Sequence, residues 1–334
     1  MTCPVPHQEF RSVDVTSASS GEAPAASLTR ASRDRESRRA VARFESVGGS
    51  VLFGLFGVAL FDQPMLPPVS AALEATGRSR YQPWARAVRT AAADQLIYHG
   101  EDADRDAESQ RLMLLHRDVK GVGPDGERYS ALNPHAWNWI LYSTFFVQRG
   151  AYLALTGDTP SPATDQAIWD HYRGKTRGLH LPGNSQPIAN YAELTAHYDR
   201  MITELRATPA LEAATTAVRR APRPDFLPAV AAPLWWLSAP ALGQVAMILG
   251  CGIMHPDVRA KMPITWTARH DRRFRVLTTV FRVAYTRLPA AVTDSPMARN
   301  RRKYERLVGR YREVGLTSFA PEPTAARSRR RVRA

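Results

Sequence analysis

The segment that most constrains the fold begins at Asn133-Pro134. An asparagine followed by a proline is a helix start. The asparagine side chain accepts backbone N–H groups, and the proline brings a pre-set φ to a position whose own N–H would go unpaired. Behind this pair, Trp137, Trp139, Ile140, Leu141, Phe145, Phe146 and Val147 cover the helix on every side as far as about Gly157. A helix that is apolar all round has to be buried, so the rest of the chain must wrap it.

The same punctuation recurs along the chain. Ser161-Pro162 opens a helix that closes near Gly174, and Asn190-Tyr191-Ala192-Glu193 is a capping-box pattern ahead of a helix to about Arg206. Upstream, the spacing predicts helices from Pro83 to about Tyr98 and from Asp102 to Lys120, with Asp102 as N-cap and Gly121 as terminator. Downstream it predicts helices over Thr267–Leu288 and Pro296–Val314. Between Asp62 and Pro68 three prolines interrupt any helix. Nothing reads as a sheet and no repeat is present. The expected fold is therefore all-α, a single large multi-helix domain over residues 41–315. A Ser- and Ala-rich disordered leader covers 1–40 and an Arg-rich tail covers 316–334.

A chain of 334 residues with 44% hydrophobic content can bury a core of that size. The stretch Phe226–Met254 carries no charge, but Pro228, Pro233, Pro240 and Gln244 argue for a buried or membrane-touching hairpin rather than one spanning helix. Ser37-Arg38-Arg39 ahead of the apolar run Val51–Leu60 imitates a twin-arginine export signal. Arg43, Glu45 and two glycines intervene, so the reading is a chain that stays in the cytoplasm, in contact with a membrane at most from its surface. Cys3 and Cys251 form no disulfide or zinc pattern.

Of the net charge of +14, +13 falls between Arg269 and Ala334, where 18 Lys and Arg face five acids. A basic end of this kind suits anionic lipid or nucleic acid, but no nucleic-acid fold signature accompanies it, and the plainer account is a solvated basic helix face. No Walker loop, G-x-G-x-x-G, G-x-S-x-G or H-E-x-x-H occurs, and His171, His180 and His197 share no zinc spacing. Nucleotide-dependent, serine-hydrolase and zinc-protease readings therefore have no residues to rest on.

One histidine stands out. Leu112, Leu115, His116 and Val119 fall at i, i+3, i+4 and i+7, which places an imidazole on an apolar helix face. On its own such a histidine is more often a core residue with one hydrogen bond than a metal ligand. Its surroundings are more specific: His116-Arg117-Asp118-Val119-Lys120-Gly121, the Gly123-Pro124-Asp125-Gly126-Glu127-Arg128 turn, then Tyr129-Ser130-Ala131-Leu132-Asn133-Pro134 and the Trp-rich helix.

This wording resembles the MpaB-type oxygenases, which share a core domain with the latex-clearing proteins, the haem b rubber oxygenases. The resemblance covers roughly residues 48–315. It implies a globin-like haem-pocket core, with His116 as axial iron ligand and Arg111, Trp139 and Leu141 lining the cofactor. Arg86-x-x-Arg89-Thr90 is similar to the R-x-x-K-T pattern of the latex-clearing proteins, which implies that Arg86, Arg89 and Thr90 shape the distal side. Arginine stays protonated, so Arg89 cannot cap iron as the family's lysine can. Leu141 and Gln63 stand where many members carry histidine. The implied function is oxygen insertion at a carbon–carbon double bond of a hydrophobic, isoprenoid-like substrate, with dioxygen as co-substrate. The alternative is a non-catalytic, membrane-peripheral or partner-binding protein that keeps the fold without haem.

Overall fold

A computed structural model describes residues 23–77, 83–123, 126–224 and 227–314. The chain divides into two compact units, Met1–Glu36 and Ser37–Ala334. In the first, the described residues are helical, and the side chains of residues 32–36 are exposed. The second holds the buried core.

Helix α1 spans Ala23–Gly48, and residues 1–22 of the expected leader lie outside the described residues. At its end Ala40, Phe44 and Val47 repeat at helical spacing and are all buried. A 3-10 segment (Val51–Met65) follows, with Pro64 inside it and Ser50 at its start. The Ser50 hydroxyl accepts from Leu52 N and donates to the Thr293 carbonyl at 2.8 Å, which ties the two ends of this unit together. Helix α2 (Pro67–Thr76) closes on Gly77 at φ 62°, a left-handed cap that favours glycine.

Helices α3 (Pro83–His99) and α4 (Asp102–Arg117) are joined at Gly100. A Cβ there would lie 2.3 Å from the Leu96 carbonyl oxygen. Two local expectations fail at α4. Glu101, not Asp102, is the N-cap, and the helix stops at Arg117 rather than running to Lys120. The residues beyond it form a short antiparallel pair that the sequence did not signal, β1 (Lys120–Val122) with β2 (Arg128–Ser130), in register Lys120↔Ser130. Gly121 serves this hairpin instead of a helix end, since a Cβ would sit 2.9 Å from the Tyr129 hydroxyl. Pro124 and Asp125 of the turn lie outside the described residues.

Helix α5 (Pro134–Thr156) is the central element, and its start is as expected: the Asn133 side chain accepts from His135 N and Ala136 N. Its apolar surface divides between two core clusters. Trp137, Leu141, Tyr142 and Phe145 belong to one, with Phe44, Ile97, Trp169 and Tyr172. Ala136, Trp139 and Val147 belong to the other, with Val58, Met65, Tyr198 and Met201. Helices α6 (Pro162–Lys175), α7 (Tyr191–Ile202) and α8 (Pro209–Arg219) start on Ser161, Asn190 and Thr208, each of whose side chains accepts a backbone N–H.

The uncharged stretch is not a hairpin. It forms one helix, α9 (Ala232–Ile253), with Pro240 inside it. The second half of α9 is held by close packing: a Cβ at Gly250 would lie 2.6 Å from Val58 Cβ. The first half is open, with Leu234 70%, Trp236 60% and Leu237 81% exposed. By length and composition this helix could cross a membrane. Helices α10 (Pro256–Ala260), α11 (Ala268–Arg287), α12 (Ala290–Thr293) and α13 (Pro296–Glu313) complete the unit. The all-α class is as expected, apart from the small hairpin. The Arg-rich tail lies outside the described residues.

Candidate functional site

His116 sits in the last turn of α4, half-buried. Its Nδ1 lies 2.7 Å from the Leu112 carbonyl oxygen one turn back. Its ring meets Trp137 edge-on, with centroids 5.2 Å apart and planes at 73°. The carbonyl can only accept, so Nδ1 is the protonated nitrogen and Nε2 carries the lone pair. Among the described residues Nε2 has no partner.

The support beneath this imidazole is firm. Trp137 donates its indole N–H to the Leu179 carbonyl at 2.7 Å. Behind α4 the chain comes in tightly at Gly178, where a Cβ would meet Ser109 Oγ at 2.6 Å. The face of α4 is less apolar than its spacing suggested. Leu115 is 49% exposed, and the residues α4 buries are Glu108 and Ser109.

The other expected site residues divide. Leu141 is buried in the same cluster as Trp137, and its carbonyl accepts from Tyr172. Trp139 lies on the opposite side of α5, stacked on Tyr198 at 5.3 Å and 19°. Trp137, not Trp139, is therefore the tryptophan against His116. Arg111 grips Glu108 with two hydrogen bonds, at 2.6 and 2.5 Å. Glu108 is buried, so this fork holds an otherwise costly carboxylate and occupies the guanidinium. On α3, Arg86 is half-buried while Arg89 and Thr90 are exposed. Gln63, at a position often histidine in the resembling family, donates to Thr144 Oγ1 at 3.1 Å.

Several polar groups in the core were not singled out by the sequence. Asp62 is buried beside Ser143, which donates to it at 2.6 Å, and Tyr198, which donates at 3.3 Å. Burial outweighs both donors and pushes its carboxyl up to about 7. Burial alone pushes Asp94 on α3 up to about 7 as well. Tyr98 donates to Tyr172, and Tyr172 donates to the Leu141 carbonyl, each at 3.0 Å.

Away from His116, a polar cleft of about 470 Å³ is lined by Glu45, His99, Arg105, Lys175, Arg301 and Glu305 among others. Burial would raise Glu45, but hydrogen bonds from His171 and Lys175 hold it at about 2. In sequence these residues are scattered over five helices, and no motif marks them.

Among the described residues no three His, Cys, Asp or Glu side chains converge on a metal position. No curated protein and no solved structure matches the chain. A family model does, over residues 46–283, and its description is ER-bound oxygenase mpaB/B'/Rubber oxygenase, catalytic domain. That span takes in the 3-10 segment, the α3–α4 pair, the Trp-rich central helix and most of α11. The chain belongs to the mpaB/rubber-oxygenase catalytic-domain family, and its chemistry is of the oxygenase type, on a small molecule and dioxygen.

Proposed function

We propose that this protein is a haem b-dependent oxygenase that inserts oxygen at a carbon–carbon double bond of a hydrophobic, isoprenoid-like substrate. The observation that carries the haem assignment is the state of His116. Its Nδ1–H is spent on the Leu112 carbonyl, which fixes the tautomer and ring orientation and leaves an unpartnered Nε2. Metal-bound histidines are held in this way, the second nitrogen donating to a carbonyl or carboxylate. Among the described residues no three His, Cys, Asp or Glu side chains converge to hold an ion by themselves, and an iron carried in a porphyrin would bring its other donors with it.

The residues present fit such a group. Trp137 sets an apolar ring against His116, and Leu141 is buried in the same cluster as that tryptophan. The haem, when bound, supplies dioxygen chemistry that no side chain provides. The protein's own part is to ligate, to orient and to keep water out. Arg86 and Arg89 are the cations on α3 suited to a propionate or a polar substrate end, and Thr90 adds a hydroxyl. Arg111, already forked onto Glu108, acts on the cofactor through the rigidity of α4 rather than by contact. A globin-like pocket is part of this proposal.

The test is turnover of squalene under isotopically labelled dioxygen by haem-loaded protein. Label in carbonyl products supports the reading, and unlabelled or unchanged squalene refutes it. A second, compatible reading rests on the exposed first half of α9. Leu234, Trp236 and Leu237, with Val230 in the turn just before the helix, suit a membrane surface, where apolar substrates dissolve. Co-flotation with vesicles that is lost on Trp236→Ser and Leu237→Ser together would bear it out.

A further inference from the structure

Helix α11 has two apolar faces, and the core accounts for one of them. Phe274, Leu277, Phe281 and Tyr285 turn inward and pack against the larger cluster. Gly252 of α9 leaves room for the Phe274 ring, which a Cβ there would strike. On the other side Val276, Val280 and Val283 are each more than half exposed, at steps of four and three. The same line runs back through exposed Arg273, Arg272 and Arg269 and forward to exposed Arg287. It is about 27 Å long.

This outer face is not what water selects. Valine loses rotamer freedom on a helix and here leaves branched apolar surface in solvent. The cations have no local use either. None of the guanidinium groups of Arg269, Arg272, Arg273 and Arg287 has an ion pair or hydrogen bond among the described residues. No acid falls on the line. Asp271, the one acid of α11, lies off it and accepts from the Trp266 indole N–H at 2.6 Å.

We propose that the outer face of α11 docks on an anionic phospholipid bilayer, with the valines sunk among the acyl chains and the arginines on the phosphates. Charge and shape select this occupant. A second copy of the chain would set arginine against arginine. A nucleic acid would take up the arginines and leave the valines in water. A protein partner would need a groove matched to a convex ridge, whereas a fluid bilayer accepts a ridge of any shape. Helices that lie in a membrane interface combine apolar and cationic residues in this way. The residues differ from those of the open half of α9, and so does the consequence: binding depends on lipid charge. The inference does not require haem.

The test is flotation of the full chain with vesicles of phosphatidylcholine alone or with about 30% phosphatidylserine. Wild type should bind the anionic vesicles and weaken as sodium chloride rises from about 0.05 M to about 0.5 M. Each cation near such a surface strengthens binding about fivefold, so Arg269→Gln, Arg272→Gln and Arg273→Gln together should weaken it on the order of 100-fold. Val276→Ser, Val280→Ser and Val283→Ser together should weaken it at least about tenfold, with the circular dichroism of wild type. A Val280→Cys variant in a Cys3→Ser background, carrying an environment-sensitive fluorophore, should shift to the blue on the anionic vesicles; Cys251 is buried. Equal binding to both vesicle types overturns the proposal. So does wild-type binding by both α11 variants, whether or not Trp236→Ser with Leu237→Ser abolishes it. Self-association that the valine changes abolish, without vesicle binding, would give the face to a second copy. Binding to a DNA duplex that the arginine changes weaken and the valine changes do not, again without vesicle binding, would give it to nucleic acid.

Discussion

Asp62 offers the sharpest thermodynamic prediction. Its carboxyl is 1% exposed and pushed up to about 7 from 3.8. A folded-state value above the unfolded one means that the native state binds the extra proton. Stability is then fully present below about pH 4, falls as pH rises, and levels off beyond about pH 7. At about 1.36 kcal/mol per pKa unit, the fall attributable to Asp62 is roughly 4 kcal/mol at most.

Asp62→Asn removes the ionisation and keeps the shape. The amide oxygen still accepts from Ser143, and the amide N–H₂ can donate to the Tyr198 oxygen, reversing that bond. Urea denaturation should show the variant and wild type nearly equal at about pH 3.5, and the variant more stable by up to about 4 kcal/mol at about pH 8.5. Asp94 titrates in the same window, so Asp62→Asn should keep some downward slope. A wild-type midpoint that is flat between about pH 4 and pH 8, or a variant destabilised equally at both ends, would show that burial does not hold the proton on Asp62.

The packing arguments can be tested with glycines. Gly250→Ala drives a methyl onto Val58 and the Ala59 backbone and should cost about 1–3 kcal/mol. Gly54→Ala points into open space and should be neutral or stabilise by up to about 1 kcal/mol. Paired thermal melts decide both. Asn133→Ala removes the acceptor for two N–H groups at the start of α5 and should cost about 1 kcal/mol in chemical denaturation. Glu45 behaves oppositely to Asp62. Its carboxyl is held at about 2, so its contribution is present above about pH 4.5 and lost as pH falls toward 2. Glu45→Gln should therefore lower the melting temperature near pH 6, with the gap from wild type closing on acidification.

Much of the fold could be read from the sequence, because its signals are local. Asn133, Ser161 and Asn190 cap the helices they were expected to cap, since a side-chain oxygen next to a run of free N–H groups has few other uses. The fully apolar α5 is central, as its all-round pattern requires. The failures come where tertiary contacts override local preference. Pro240 did not split Phe226–Met254, because packing of Gly243 on the Val218 carbonyl and Gly250 on Val58 holds α9 as one helix. Gly121 did not end α4, because pairing with β2 claimed it.

At the candidate site, the place of His116 on a helix was readable from spacing. Its Leu112 bond and its Trp137 neighbour were not, since one needs the rotamer and the other needs the docking of α4 on α5. Asp94 looked like an ordinary polar residue among Ala91, Ala92, Ala93 and Gln95, because nothing in a linear string says which face of α3 turns inward.

The haem assignment stands or falls on whether the free nitrogen of His116 meets iron. It is read from the visible absorption spectrum of the purified protein titrated with haem b, alongside His116→Ala prepared in the same way. Wild type should give a saturable Soret band at one haem per chain, and that band should be lost in a His116→Ala protein that remains folded by circular dichroism. Equal haem uptake by both proteins, or none by wild type, would show that His116 is not the iron ligand.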